Sequence, residues 1–229
     1  PPMILKAETG TEAEPLGYRR DNSNFRGCDV DSSAPPPADW TKPEFDDSSW
    51  PRTAGEWMRR AQGRKLSQAV LSVRAKFSAA GASGGLSLTV KYRGGVRVLL
   101  NGKEIAREHL PEGELKPETP AEAYSKDAYL DAEGEIINQR GGRIAEADKP
   151  RVAGRDRTLG PVKLPADALR RGVNVLAIEV RRANYHPAAR KWWKYPNETR
   201  KYPWWRTGDL LDFHLTGGGA PPNLARPRG

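Results

Sequence analysis

Between Ala183 and Gly208 the sequence carries an aromatic and basic stretch with its own rough repeat: Trp192-Trp193-Lys194-Tyr195-Pro196, then Lys201-Tyr202-Pro203-Trp204-Trp205-Arg206. With Tyr185 it holds seven of the chain's 18 aromatic residues. An indole or phenol ring covers the flat C–H face of a sugar, while neighbouring polar groups bond the ring hydroxyls. Six Lys or Arg against Glu198 alone add a preference for anionic ligands, and an arginine pairs with a carboxylate or sulfate through two parallel bonds. The candidate ligand-contacting residues are therefore Tyr185, Trp192, Trp193, Tyr195, Tyr202, Trp204 and Trp205 for stacking, with Arg200 and Arg206 as anion partners. The same aromatic residues also suit packing of a long loop, or docking of a neighbouring domain or subunit. Base stacking on single-stranded nucleic acid is a weaker match, because no helix-turn-helix, RNP, KH or zinc-finger pattern accompanies the stretch.

Other chemistry is thin. His109, His186 and His214 are scattered, and there is no HExxH, Gly-x-Ser-x-Gly, phosphate-loop or dinucleotide pattern. The lone Cys28 excludes an internal disulfide and a cysteine zinc site, and nothing around it resembles an activated nucleophile. Asp46 and Asp47 are adjacent rather than placed across a cleft, as paired glycosidase carboxylates must be. Asp21, Asp29 and Asp31 could offer oxygens to a structural Ca²⁺, but no calcium-loop spacing supports it. The expectation is no catalytic residue, no metal and no cofactor.

The chain has 229 residues and a formal net charge of +9. That length fits one domain with an arm. The hydrophobic share, 37 %, suits a core-forming chain, and no apolar run approaches the roughly 20 residues that span a bilayer. The basic excess points to acidic partners, and over half of it falls in the aromatic stretch.

The elements that must position this stretch are strands. Leu71, Val73, Ala75 and Phe77 alternate with Ser72, Arg74 and Lys76, and Leu86, Leu88, Val90 and Tyr92 alternate with polar residues in the same way. Val96–Leu100 runs into Asn101-Gly102, a strong hairpin signal, with Lys103–Arg107 as the return strand. Thr158–Leu164, Val173–Arg182 and the alternation of Leu211, Phe213 and Leu215 complete the set, with a short helical turn between Pro165 and Arg171. Many alternating strands and little helix specify an all-β, antiparallel β-sandwich with long loop insertions. Two gaps exceed the usual upper loop length of about 12–15 residues. The first, Asp131–Arg157, balances acidic and basic residues without an aromatic and reads as a solvated insertion; the second is the aromatic stretch.

Three segments together resemble galactose-binding-like jelly-roll domains, among them the sugar-binding domains of β-galactosidase-type glycoside hydrolases and related accessory modules of large bacterial secreted proteins. Trp40 with Pro43-Glu44-Phe45-Asp46-Asp47-Ser48-Ser49-Trp50 is similar to their "FDDSSW" corner. Val90–Arg107 resembles their hairpin around a Val-x-Val-x-x-Asn-Gly core, and Leu164-Pro165 through Gly172-Val173-Asn174-Val175-Leu176-Ala177 to Val180 resembles their "GeNvLAvev" strand. Gly208–Leu215 looks like their last strand. The resemblance covers residues 38–216 and implies a jelly roll carried as an accessory module, not a reaction.

The expected organisation is an irregular arm over 1–37, a sandwich over 38–216 and a disordered Gly/Pro-rich tail over 217–229. The expected function is non-catalytic binding of a glycan, of acidic character, within a larger exported or cell-surface protein. Two rivals are a structural module whose aromatic loop docks another domain or subunit, and a domain that completes a glycoside hydrolase active site.

Overall fold

A computed structural model describes residues 3–8, 35–50, 69–79, 85–137, 144–190 and 207–217. Among them are eight strands: β1 (Met3–Glu8), β2 (Val70–Ala79), β3 (Ser87–Arg93), β4 (Gly95–Leu100), β5 (Lys103–Glu108), β6 (Arg157–Lys163), β7 (Gly172–Arg181) and β8 (Asp209–Thr216). They form a five-stranded sheet in the order β1-β2-β7-β4-β5 and a three-stranded sheet in the order β6-β3-β8, with every strand pair antiparallel. The chain is an all-β sandwich of jelly-roll type. Its arm, expected to be irregular, contributes β1 at the edge of the larger sheet.

The alternation expected from sequence is what builds the core. Leu71, Val73, Ala75 and Phe77 on β2, Val96, Val98 and Leu100 on β4, and Leu176, Ile178 and Val180 on β7 face Leu88, Val90 and Tyr92 on β3. Leu159 and Leu210 close that core from β6 and β8. Non-directional burial of this apolar set is the main stabilising term.

The motif residues turn out to lock the chain path. Asn101 and Gly102 both sit at positive φ, 51° and 88°, as a two-residue type I′ turn requires. The Asn101 side chain accepts from Val175 N–H (2.9 Å) and donates to Ala168 C=O and Asn174 Oδ1 (2.8 Å each). Asn174 in turn accepts from Arg170 N–H and donates to the carbonyls of Arg170 and Gly172. The two asparagines therefore staple the β4–β5 turn to the start of β7.

The Trp40–Trp50 corner covers the outer face of the larger sheet. Trp40 and Trp50 stack 6.2 Å apart, Phe45 meets Trp50 edge-on, and both indoles rest over Leu99 and Ala177. Beneath them the fully buried Arg74 donates to the carbonyls of Trp40 (2.6 Å) and Lys42 (3.0 Å) and pairs with Asp47 at 3.3 Å. Lys76 reaches the same carboxylate at 2.9 Å. Asp46 accepts from Ser48 N–H, which fixes the turn.

One expectation is corrected in part. The described part of Asp131–Arg157 is exposed along much of its length but anchored: Ile136, Ile137 and Val152 join Ala121, Tyr124, Ala128, Tyr129, Leu130, Ala183, Tyr185 and Ala189 in a second apolar cluster. The apolar residues there are too widely spaced for any strand or helix period, so they signal burial only once the chain has folded.

Candidate binding site at the sandwich rim

The ends of β3, β5 and β7 and the starts of β4, β6 and β8 meet at one rim of the sandwich, and the second cluster caps it. Gly94, between β3 and β4, lets these segments close up. Its φ is 87°, and a side chain there would collide with the carbonyls of Arg181 and Thr207. Its N–H donates to the Tyr124 hydroxyl at 2.6 Å, and that hydroxyl donates to Arg155 C=O at 2.9 Å. Tyr124 is thus pinned from both sides of its oxygen, and burial pushes its phenol pKa up.

Arg157 opens β6 and sits over the ring of that tyrosine, its guanidinium carbon 4.1 Å from the ring centroid. The face of an aromatic ring attracts a cation at this distance. Its Nη1 donates to the carbonyls of Gly94 (2.7 Å) and Glu122 (3.3 Å). Beside it, Arg93 and Asp156 pair at 2.6 Å, and Arg155 is buried, with burial and the neighbouring Arg93 pushing its pKa down to about 10.

Tyr124 and Arg157 help wall a cleft of about 350 Å³, lined also by Glu122, Ser125, Asp127 and Arg151 among others. Arg151 faces Asp127 across 3.7 Å. Glu122 binds His109 Nδ1 through one carboxylate oxygen (2.7 Å), and this bond holds its pKa below the ordinary glutamate value. His109 takes the left-handed φ of 55° and accepts Glu122 N–H on its own carbonyl at 2.9 Å. Next to it, Tyr92 donates to Glu108 at 3.1 Å; burial drives the Tyr92 pKa far up, so the phenol stays protonated. The cleft thus offers two guanidinium groups, two carboxylates and a hydroxyl, a set that bonds both anions and hydroxyl-bearing ligands. Among the described residues no group of three His, Cys, Asp or Glu side chains could hold a metal ion.

The aromatic stretch is rooted at this rim. Tyr185, first of the candidate residues, is a packing residue here: only 2 % exposed, it lies against Tyr129 with ring centroids 5.7 Å apart. Ala189, in the short helix Pro187–Arg190, belongs to the same cluster, and His186 Nδ1 accepts Ala188 N–H, which leaves that nitrogen engaged in the turn. The chain comes back at Thr207, whose carbonyl accepts Ala183 N–H (2.9 Å) and whose hydroxyl donates to Ala183 C=O (2.6 Å). Both feet of the stretch therefore stand on the cluster that supplies Tyr124 and Ala128 to the cleft. Trp192, Trp193, Tyr195, Arg200, Tyr202, Trp204, Trp205 and Arg206 lie outside the described residues, as do Cys28, Asp21, Asp29, Asp31 and the tail beyond 217.

Sequence reasoning missed Glu122, Tyr124, Arg151 and Arg157. The one available sign was the pair Tyr124 and Tyr129, in a run otherwise made of alanine and polar residues.

Fold and site together define an antiparallel jelly-roll sandwich with a polar cleft and an aromatic insertion at one rim. No family model and no curated protein matches the chain. Among solved structures it is similar to a β-glycosidase from Bacteroides vulgatus, at 12 % identity and a TM-score of 0.36, over 81 % of this chain and 18 % of that one. It is also similar to a calcium-binding mutant of Bacteroides uniformis β-glucuronidase 2 (11 %, TM-score 0.39, 80 % and 16 %). A third is a glycosyl hydrolase family 2 member from Bacteroides cellulosilyticus (14 %, TM-score 0.35, 80 % and 19 %). The chain spans under a fifth of the length of these proteins.

Proposed function

We propose that the chain is a non-catalytic carbohydrate-binding module, an accessory domain of a larger exported glycoside hydrolase, and that its ligand site is the rim. One observation carries the reading: the stretch richest in aromatic and basic residues is rooted in the cluster that also walls the polar cleft. The motif residues support it from the other side. Asn101, Asn174, Asp47 and Trp40 are turned to holding the fold, which leaves the rim with the unspent polar chemistry. Trp192, Trp193, Trp204 and Trp205 supply the stacking faces, with Tyr195 and Tyr202 beside them and Arg200 and Arg206 for acidic groups. The glycoside hydrolase context rests on the sequence resemblance of residues 38–216. No described helix is long and apolar enough to cross a membrane.

A protein-docking role would call for an exposed apolar patch. Val173 is the one large hydrophobic residue strongly exposed among the described residues, so they offer no such patch.

Intrinsic tryptophan fluorescence, titrated with neutral and acidic polysaccharides, tests the reading. A saturable shift that is lost in Trp192→Ala or Trp204→Ala is expected. No response to any polysaccharide would overturn it and turn attention to a protein partner.

A further inference from the structure

We propose that Arg157 is an oxyanion fork, and that the rim cleft takes the carboxylate or sulfate of an acidic sugar residue. This rests on the glycan reading and adds the chemical class of the ligand and the residue that selects it. The guanidinium is held in place before any ligand arrives: the Tyr124 ring lies under it at 4.1 Å, and Nη1 is engaged by the carbonyls of Gly94 and Glu122. Among the described residues Nε and Nη2 have no hydrogen-bond partner, and Arg157 lines the cleft. That free edge carries the two parallel N–H groups that match a carboxylate or sulfate, and a fixed guanidinium loses little side-chain freedom on binding.

The rest of the lining selects what carries the oxyanion. Glu122 uses one carboxylate oxygen on His109, Asp127 is paired with Arg151 only at 3.7 Å, and Ser125 is exposed. These groups accept hydrogen bonds from hydroxyls. An acidic sugar brings one anionic group and several hydroxyl donors in a single residue, so it satisfies fork and acceptors at once. An acidic peptide brings negative charge with few side-chain donors, which leaves the acceptors on the wall unfilled. At about 350 Å³ the cleft is at the small end of ligand sites, a size for a sugar residue rather than a long chain segment.

The test is calorimetric titration of the whole chain with four probes at about 0.15 M salt, where long-range attraction to the net positive charge is screened. The probes are tri-galacturonate, its carboxyl-reduced counterpart, a dextran sulfate oligomer and poly-L-glutamate. Arg157→Lys keeps the charge and removes the fork, so non-specific attraction is unchanged. Binding of tri-galacturonate or of dextran sulfate should weaken about tenfold in this variant, the worth of one charge-assisted hydrogen bond. Whichever of the two binds names carboxylate or sulfate as the oxyanion. The carboxyl-reduced oligomer should bind more weakly than tri-galacturonate and be insensitive to Arg157→Lys.

Should Arg157→Lys fail to fold, Ser125→Ala on the exposed wall gives a second reading, with a loss of about threefold for the acidic sugar and none for poly-L-glutamate. Unchanged affinity in Arg157→Lys, with binding still lost in Trp192→Ala, would overturn the fork and leave the glycan reading standing. Poly-L-glutamate binding as tightly as the sugars would overturn the fork's sugar selectivity in favour of a peptide. Silence from all probes and from neutral polysaccharides would overturn both.

Discussion

Asn174→Ala is the perturbation whose cost follows most directly from the structure. The Asn174 amide makes four hydrogen bonds and is fully buried: it accepts from Arg170 N–H and Asn101 Nδ2, and donates to Arg170 C=O and Gly172 C=O. A protein hydrogen bond contributes about 1 kcal/mol net, and an unsatisfied buried group costs more. Arg170 and Gly172 are exposed residues whose carbonyls can turn to water, and Asn101 Nδ2 keeps Ala168 C=O. The expected loss is therefore about 2–3 kcal/mol rather than the full value of four bonds. For a domain of this size that lowers the melting temperature by about 5–10 °C. Asn174→Asp separates geometry from chemistry. Its second oxygen would face the two carbonyls, so the ionised form is disfavoured and the folded-state pKa is raised. Stability of this variant should then fall as pH rises above the ordinary aspartate value, which makes it less stable at pH 7 than at about pH 5. Urea unfolding of the three proteins at both pH values is the assay. A loss below about 1 kcal/mol for Asn174→Ala would refute the hydrogen-bond reasoning, and a stability of Asn174→Asp that does not change with pH would refute the carbonyl contact.

Three further outcomes follow from other parts of the fold. Asp47→Ala leaves the buried Arg74 without its carboxylate, so it should cost about 3–5 kcal/mol in urea unfolding, the usual result of breaking a buried pair. Tyr124→Phe removes the acceptor of Gly94 N–H and the donor to Arg155 C=O; about 1–3 kcal/mol should be lost, while the ring face under Arg157 is kept. The Glu122 carboxyl, held below its ordinary pKa by His109, contributes stability that is present above the ordinary value and lost as pH falls through the lowered one. Melting temperature against pH should accordingly be flatter for Glu122→Gln than for the native chain over about pH 5 to 3.

Strands were legible because apolar residues recur at every second position, a period that β3 and β8 also carry in their burial, whereas β2, β4 and β7 are buried on both faces. Boundaries moved by a residue or so: β6 starts at Arg157 rather than Thr158, and β5 ends at Glu108 rather than Arg107. Asn101-Gly102 was legible because a two-residue hairpin demands positive φ at both positions. The second cluster was not. Tyr129, Ile136, Ile137, Val152 and Tyr185 come from segments without a periodic apolar pattern, so their burial depends on a tertiary arrangement that no local pattern encodes. The same holds for the cleft. Arg157 looks like any surface arginine in a charge-balanced run until Gly94, Glu122 and Tyr124 are brought to it from two other segments. The chemistry of Trp192–Arg206 is read from composition alone.

The location of the ligand site is the central claim, and hydrogen–deuterium exchange with and without an acidic polysaccharide tests it most directly. Added polysaccharide should slow exchange at 121–125, at 183–209 and at the start of β6, with the Trp40–Trp50 corner unaffected. Slowing confined to that corner, or to the outer face of the larger sheet, would contradict a rim site.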